Sequence, residues 1–339
     1  MSKLCCLLAI ILLGLHGCTP DPGDALFARY LEALAHATES TGEADAIQRS
    51  ALPPRYPRAR QRTAEVPEVR GGVLELFSLS RCDVTQFIAQ RNSILGRHAD
   101  SASHVALGSA VMARLQECRR DLEAEDELHD RLDTLIEEKR PALQALRWNA
   151  SFGSAAFAQW WSLATQPVVP EAQTHNIAAP VDTLLQAISA ARDGEVAQAQ
   201  AAFSSAYQRF EQSRGGGAWL LAAQRAVWAL ERAQPMLVAA TASGICHAER
   251  EGAWVDAEQL YRTRVGPHVQ LLARAMREAS TPLEQLWTAQ SAEMLSFSQS
   301  VADFRNQVWH GPESLAHTLG DLQRRHDALW QARRTACDD

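Results

Sequence analysis

Between Leu283 and Val308 the large apolar residues return at steps of four and three: Leu283, Trp287, Met294, Phe297, Val301, Phe304 and Val308, with Gln290 on the same stripe. That period lays one apolar face along an α-helix, and the face needs a partner to bury it. Thr281-Pro282-Leu283-Glu284 supplies a start, with Thr as cap, Pro at the first helical position and Glu able to reach back to the cap. The spacing predicts a helix of about seven turns from there. A second stripe, Leu315, Leu319, Leu322, His326 and Leu329, follows the Gly311-Pro312 break and predicts a helix that folds back. Leu128, Leu132, Leu135, Leu143 and Leu146 predict a third over 124–147, with Glu123, Glu125, Asp126, Glu127, Asp130 and Asp133 on its wet side. Strand signals are nearly absent, since Val and Ile do not cluster and no Asn-Gly or Asp-Gly turn separates alternating runs. The fold class is all-α.

Two Pro-rich stretches interrupt the helical pattern. Residues 52–67 hold Pro53, Pro54, Pro57 and Pro67 among Arg55, Arg58, Arg60 and Arg62, and read as an extended connector. Residues 166–180 hold Pro167, Pro170 and Pro180 and read as a linker between a helical half at 18–165 and another at 181–339. The expected architecture is an elongated or two-lobed helical bundle. A solenoid of helical pairs fits the Ala-rich stretch 184–230, although no repeating signature accompanies it. Gly215-Gly216-Gly217 reads as a junction between helices, because no strand precedes it and no Lys follows in phosphate-loop spacing.

The first residues carry an address. Lys3 precedes an apolar run from Leu4 to Leu15 that is too short for a permanent bilayer span, which is the outline of an export signal. Leu15-His16-Gly17-Cys18 resembles the lipobox of bacterial lipoproteins, so residues 1–17 are expected to be removed and Cys18 to carry lipid. Palmitate and further acyl chains on Cys18 would hold the protein on the membrane, each buried methylene contributing about 0.8 kcal/mol. Thr19 stands where Asp would favour the inner membrane, so the expected site is the periplasmic face of the outer membrane. Loss of Lys3 with the signal changes 33 basic against 40 acidic residues to 32 against 40, a net charge of −8. This acidic balance does not suggest nucleic acid. Apart from Lys3 and Lys139 every basic residue is Arg, and their dispersal along the sequence reads as coding bias.

Four cysteines remain after Cys5, Cys6 and Cys18: Cys82, Cys118, Cys246 and Cys337. In an oxidising compartment these read as two disulfides, and four cysteines permit three connectivities. Pairing Cys82 with Cys118 and Cys246 with Cys337 keeps each bridge within one half of the chain. Zinc is the alternative, weakened by the lack of any C-x-x-C pair.

Signatures of catalysis are missing. The sequence holds no H-E-x-x-H, no G-x-S-x-G and no phosphate loop, and no cofactor or metal is implied. His310 and His317 are separated by the Gly311-Pro312 break, His326 lies on an apolar stripe where a hydrogen-bonded core histidine is expected, and His247 with Glu249 and Glu251 forms a weak cluster without a role. Most of the nine tryptophans should be core. Adjacent Trp160 and Trp161 cannot both point inward on a continuing helix, which leaves one for a groove or a partner.

Several short blocks carry a family resemblance: the lipobox, Leu52-Pro53-Pro54, Tyr56-Pro57-Arg58, Arg81-Cys82, Arg91-Asn92-Ser93, Leu95-Gly96, Trp148-Asn149 and Phe152-Gly153. With these, the chain resembles a family of proteobacterial lipoproteins known only as a domain of unknown function. The resemblance implies an exported, lipid-anchored, mostly helical protein. It singles out Arg91, Asn92, Trp148 and Asn149, which periodicity does not explain, either as a helix end with buried polar contacts or as a ligand pocket. The leading expectation is a non-enzymatic interaction or structural module of the cell envelope that meets a protein partner. A small-ligand binding protein with a groove between the helical halves is the alternative, and a cell-wall or lipid enzyme is the third reading.

Overall fold

The computed structural model describes residues 22–39, 52–68, 79–123, 126–162, 167–169, 177–192, 194–213, 215–242, 251–291 and 298–338. Among these there is no strand, and the protein is all-α. The first part of the chain gives α1 (Pro22–Thr38), a single turn α2 (Ala59–Arg62), a 3-10 turn (Leu79–Cys82), α3 (Thr85–Asn92), α4 (Ile94–Arg97), α5 (Ser101–Asp121), α6 (Glu127–Ala150) and α7 (Ala155–Trp160). The rest gives α8 (Ala179–Arg192), α9 (Val196–Ser213), α10 (Gly216–Ala242), α11 (Glu251–Leu260), a π-turn (Tyr261–Val265), α12 (Gly266–Ser291), α13 (Gln299–Val308) and α14 (Leu315–Asp338). The 52–67 connector is extended apart from α2.

The main core takes side chains from both sides of the 166–180 stretch. Phe27 and Tyr30 of α1, Trp148 of α6, Phe203 of α9, Leu237 of α10, Leu286 of α12 and Trp330 of α14 belong to one apolar cluster. The second cluster is smaller and lies wholly within the first half, with Val111, Met112 and Leu115 of α5 against Leu128, Leu132, Leu135 and Leu143 of α6. A disulfide from Cys82 to Cys118 closes it. Cys246 and the side chain of Cys337 lie outside the described residues, as do Cys18 and His247.

The α6 stripe forms as the leucine period predicts, and it runs through Pro141. Proline in a helix interior costs about 3 kcal/mol. Beyond it Leu143 and Leu146 are both buried, each worth about 1.5–3 kcal/mol, so packing outweighs the lost hydrogen bond. The same balance corrects the expected helix at 281–308. Thr281 does not cap a helix; it lies inside α12, which passes through Pro282 because Leu272, Met276 and Ala279 before it are buried on the same face as Leu283 and Leu286. The helix then ends at Ser291, and α13 starts afresh with the Ser298 hydroxyl accepting from Val301 N–H. The stripe therefore serves two helices. Leu283, Trp287, Gln290, Val301, Phe304 and Val308 are all buried, while Met294 and Phe297 lie outside the described residues. After the turn at Gly311, whose φ of +87° suits glycine, α14 packs back against α12 and α10.

All nine tryptophans are buried. Trp160 and Trp161 both point inward, contrary to the helical argument, because α7 stops at Trp160 and Trp161 is its C-cap with φ −84° and ψ 1°. The change of backbone lets the second ring turn back to lie 4.4 Å from the first. Gly216 makes room beside them: a Cβ there would meet Trp160 Cδ2 at 2.8 Å and its carbonyl oxygen at 2.9 Å. The glycine run thus joins α9 to α10 where an indole leaves no space for a side chain.

Candidate functional site

The residues singled out by sequence fall into two separate places. Trp148 is fully buried, and its Nε1–H donates to the Arg62 carbonyl at 2.7 Å. Asn149 pairs twice with the backbone of Ala64, accepting from its N–H at 2.7 Å and donating to its carbonyl at 2.8 Å. These bonds, with Tyr56 O–H donating to the Phe152 carbonyl at 2.7 Å, fasten the connector to the end of α6. Arg91 and Asn92 are exposed at the end of α3. Among the described residues no hydrogen bond, ion pair or ring contact links them to Trp148 or Asn149.

A second polar group fills the centre of the molecule. Trp330 Nε1–H donates to the Tyr30 hydroxyl at 2.8 Å, and Tyr30 O–H donates to His326 Nε2 at 2.5 Å. The chain assigns the imidazole proton to Nδ1, which is buried without a hydrogen-bond partner. Burial pushes His326 down to about 3, so it is neutral, and pushes Tyr30 well above the usual phenol range. Tyr261, in the π-turn, packs its ring 4.8 Å from His326 and donates to Asp327 Oδ1 at 2.5 Å. The π-turn has a local cause. Pro267 has no N–H to offer the Thr263 carbonyl, and Gly266 N–H bonds five residues back to Tyr261 O, widening the helix by one residue. Apart from His326 Nδ1, these donors and acceptors serve one another. The group fastens α1, the π-turn and α14 together.

Glu284 is likewise committed. Arg305 grips it with Nε at 2.8 Å and Nη2 at 2.5 Å from Oε1, and His310 Nδ1 lies 2.9 Å from Oε2. The guanidinium also covers the Trp287 ring at 4.8 Å. With both oxygens occupied, the carboxylate is a clamp between α12 and α13. Among the described residues no three His, Cys, Asp or Glu side chains gather as a metal site.

One open groove is built differently. It lies beside the disulfide-closed cluster, has a volume of about 580 Å³, and is walled by α5, α6 and the end of α8. Ser109, Met112, Ala113 and Gln116 of α5 share one helical face, as do Ile136, Arg140, Leu143, Gln144 and Arg147 of α6. Arg192, the last residue of α8, completes the rim. Among the described residues the lining holds three guanidinium groups and no carboxylate. Arg140 touches Glu137 at 2.5 Å, an exposed pair three residues apart, of the kind that contributes about 0–1 kcal/mol. Ser109 is 3% exposed and its hydroxyl has no hydrogen-bond partner. Such a buried hydroxyl costs roughly 1–3 kcal/mol unless something meets it. Along the sequence these arginines look dispersed, in keeping with coding bias. The signal available was Arg140, Gln144 and Arg147 at steps of four and three on one face; nothing local ties Arg192 to them.

Fold and groove together define a helical protein with an aromatic core, a disulfide-closed subcore beside it, and an arginine-lined recess. The chain belongs to the family described as Protein of unknown function (DUF3080), whose model matches residues 27–338. The match spans α1 to α14 and meets the resemblance seen in the sequence. No curated protein and no solved structure matches the chain.

Proposed function

We propose that this protein is an exported lipoprotein, held by lipid on Cys18 at the periplasmic face of the outer membrane, whose helical body binds an anionic component of the cell envelope without catalysing a reaction. The observation that carries the binding role is that Arg140, Arg147 and Arg192 line one open groove whose described lining residues include no acidic side chain. Against a net negative chain such a recess concentrates positive charge locally, which favours an anionic partner in both encounter and hold. Export is supported by the signal and lipobox at residues 1–18 and by the Cys82–Cys118 bridge, a bond that persists in oxidising compartments. The groove draws on α5 and α6 from the first half of the chain and on Arg192 from the second, which favours recognition between the halves over the Arg91 and Trp148 neighbourhood.

Two measurements test the proposal. Palmitate labelling of cells should mark the wild type and not Cys18→Ala. Mild crosslinking in intact envelopes followed by pull-down should recover a reproducible component with the wild type and less of it with Arg140→Gln/Arg192→Glu. Unlabelled wild type would overturn the anchor, and equal recovery by both proteins would overturn the groove.

A further inference from the structure

A separate cleft of about 640 Å³ opens where α1 packs on α11 and the π-turn. From α1 it takes Pro22, Arg29 and Glu32; from α11 and the π-turn it takes Asp256, Gln259 and Thr263. All six are exposed. Arg29 and Glu32 stand three apart, the spacing of neighbours on one helix face, and Asp256 belongs to the other wall. Among the described residues none of these three charges has an ion pair or a side-chain hydrogen bond. Arg264, which also lines the cleft, already has a contact within the fold. The position of the cleft in the chain adds a second constraint. Pro22 is four residues beyond Cys18, and four extended residues reach at most about 14 Å. Lipid on Cys18 would hold the mouth of the cleft within that distance of the headgroup layer, which raises the effective concentration of membrane lipid beside it. Unpaired charges of both signs suit a guest that is itself zwitterionic: its phosphate meets Arg29, and an ammonium with N–H donors meets Glu32 and Asp256. A quaternary ammonium has no N–H to give the carboxylates, and a headgroup with only negative charge is repelled by them.

We infer that the cleft seats the headgroup of a phosphatidylethanolamine-type lipid from the membrane that holds the anchor, so that the α1 and π-turn face lies against the bilayer. Acylation of Cys18 supplies the proximity, and to that extent this step rests on the anchor proposed above. The charges that select the headgroup do not depend on it.

The test uses the full chain, purified in dodecyl maltoside and reconstituted into phosphatidylcholine vesicles with phosphatidylethanolamine or phosphatidylglycerol added. A photoreactive residue replaces Thr263, or Gln86 as a control, which is exposed on α3 where that helix packs on α4, α5 and the 3-10 turn. Mass spectrometry of the adducts should find phosphatidylethanolamine captured at position 263 about fivefold or more above its share of the lipid, phosphatidylglycerol not enriched, and far less lipid at position 86. Glu32→Gln/Asp256→Asn should erase the preference for phosphatidylethanolamine over phosphatidylcholine, and Arg29→Gln should lower the capture of both. These side chains are exposed, so the variants should fold. Intact mass reports separately whether Cys18 carries lipid. Enrichment at 263 that the double variant removes, in a chain without lipid on Cys18, would overturn the anchor while the cleft stands. Capture at 263 in proportion to the lipid mixture, enrichment of phosphatidylglycerol instead, enrichment that survives the double variant, or no more capture at 263 than at 86 would each overturn the cleft as a headgroup site, whatever the state of Cys18.

Discussion

Replacing Asn149 with Ala removes both bonds that hold Ala64 against the end of α6, at 2.7 and 2.8 Å. A typical intramolecular hydrogen bond contributes about 1 kcal/mol net, so the pair amounts to about 2 kcal/mol of local stability. The neighbouring fastenings remain: Trp148 Nε1–H to the Arg62 carbonyl, Arg62 Nε–H to the Gly153 carbonyl at 3.1 Å, and Tyr56 O–H to the Phe152 carbonyl. The connector should therefore open more often while the helices stay folded. When opening and closing are fast, cleavage follows the open population, and about 2 kcal/mol corresponds to roughly 30-fold. Trypsin supplies the assay because Arg58, Arg60 and Arg62 lie in this segment. The rate at which fragments beginning at Ala59 or Gln61 appear should rise by about that factor in Asn149→Ala, with the global urea slope m unchanged. Trp148→Phe, which deletes one bond and keeps most of the ring, should raise it less. A cleavage rate within about threefold of wild type would refute the fastening role, since it corresponds to under about 0.7 kcal/mol.

Other perturbations follow from the same geometry. Cys118→Ser opens the bridge to Cys82 across a sequence separation of 36, and the loop-entropy relation gives a loss of up to about 4 kcal/mol in urea unfolding; non-reducing mass mapping should join Cys82 to Cys118 and Cys246 to Cys337. His326 is neutral in the fold, pushed down to about 3 by burial, whereas unfolded histidine titrates near 6.5. The unfolded chain thus binds the extra proton between those values, so this group's contribution is complete above about pH 6.5 and falls by about 1 kcal/mol per pH unit on acidification toward 3. His326→Gln, which still offers an acceptor to Tyr30, should flatten that dependence in urea midpoints measured from pH 7 to 4.5, and an unchanged slope would exclude His326 as its source. Asp24 and Arg225 form a buried ion pair at 2.7 Å, their side chains 4% and 11% exposed, with Nη1–H not aimed along the contact. Arg225→Met alone should cost about 3–5 kcal/mol by stranding the Asp24 charge, and Asp24→Leu/Arg225→Met should recover much of it; thermal unfolding decides between them.

The helices were legible wherever one stripe meets one partner. On α14, Leu315, Leu319, Leu322 and His326 are buried as their spacing requires and Leu329 is half-buried against the core, and His326 is the hydrogen-bonded core histidine expected there. The error at 281–308 has a physical source. A capping signature is a local preference worth about 1 kcal/mol, and the packed face of α12 on both sides of Pro282 outweighs it, while the break near 298 is set by Ser298, which carries no periodic signal. Trp161 departs from the helical expectation for a related reason, since it lies one residue beyond the helix end, where helical geometry no longer applies. The polar residues that looked least explained, Trp148 and Asn149, spend their donors and acceptors on the connector backbone. The groove stayed hidden because its third arginine belongs to another helix, and only packing of α8 beside α5 brings Arg192 to the rim that Arg140 and Arg147 share.

The claim that the groove is where this protein meets the cell envelope is tested most directly by placing a photoreactive residue at its rim. Gln116 lines the groove and is exposed, while Leu95, 86% exposed on α4, does not line it and serves as the control. Irradiation of living cells should yield a discrete adduct from the position of Gln116, competed away by Arg192→Glu in the same chain, and none from the position of Leu95. Equal adducts from both positions, or an adduct at 116 indifferent to Arg192→Glu, would contradict the groove as the site of recognition.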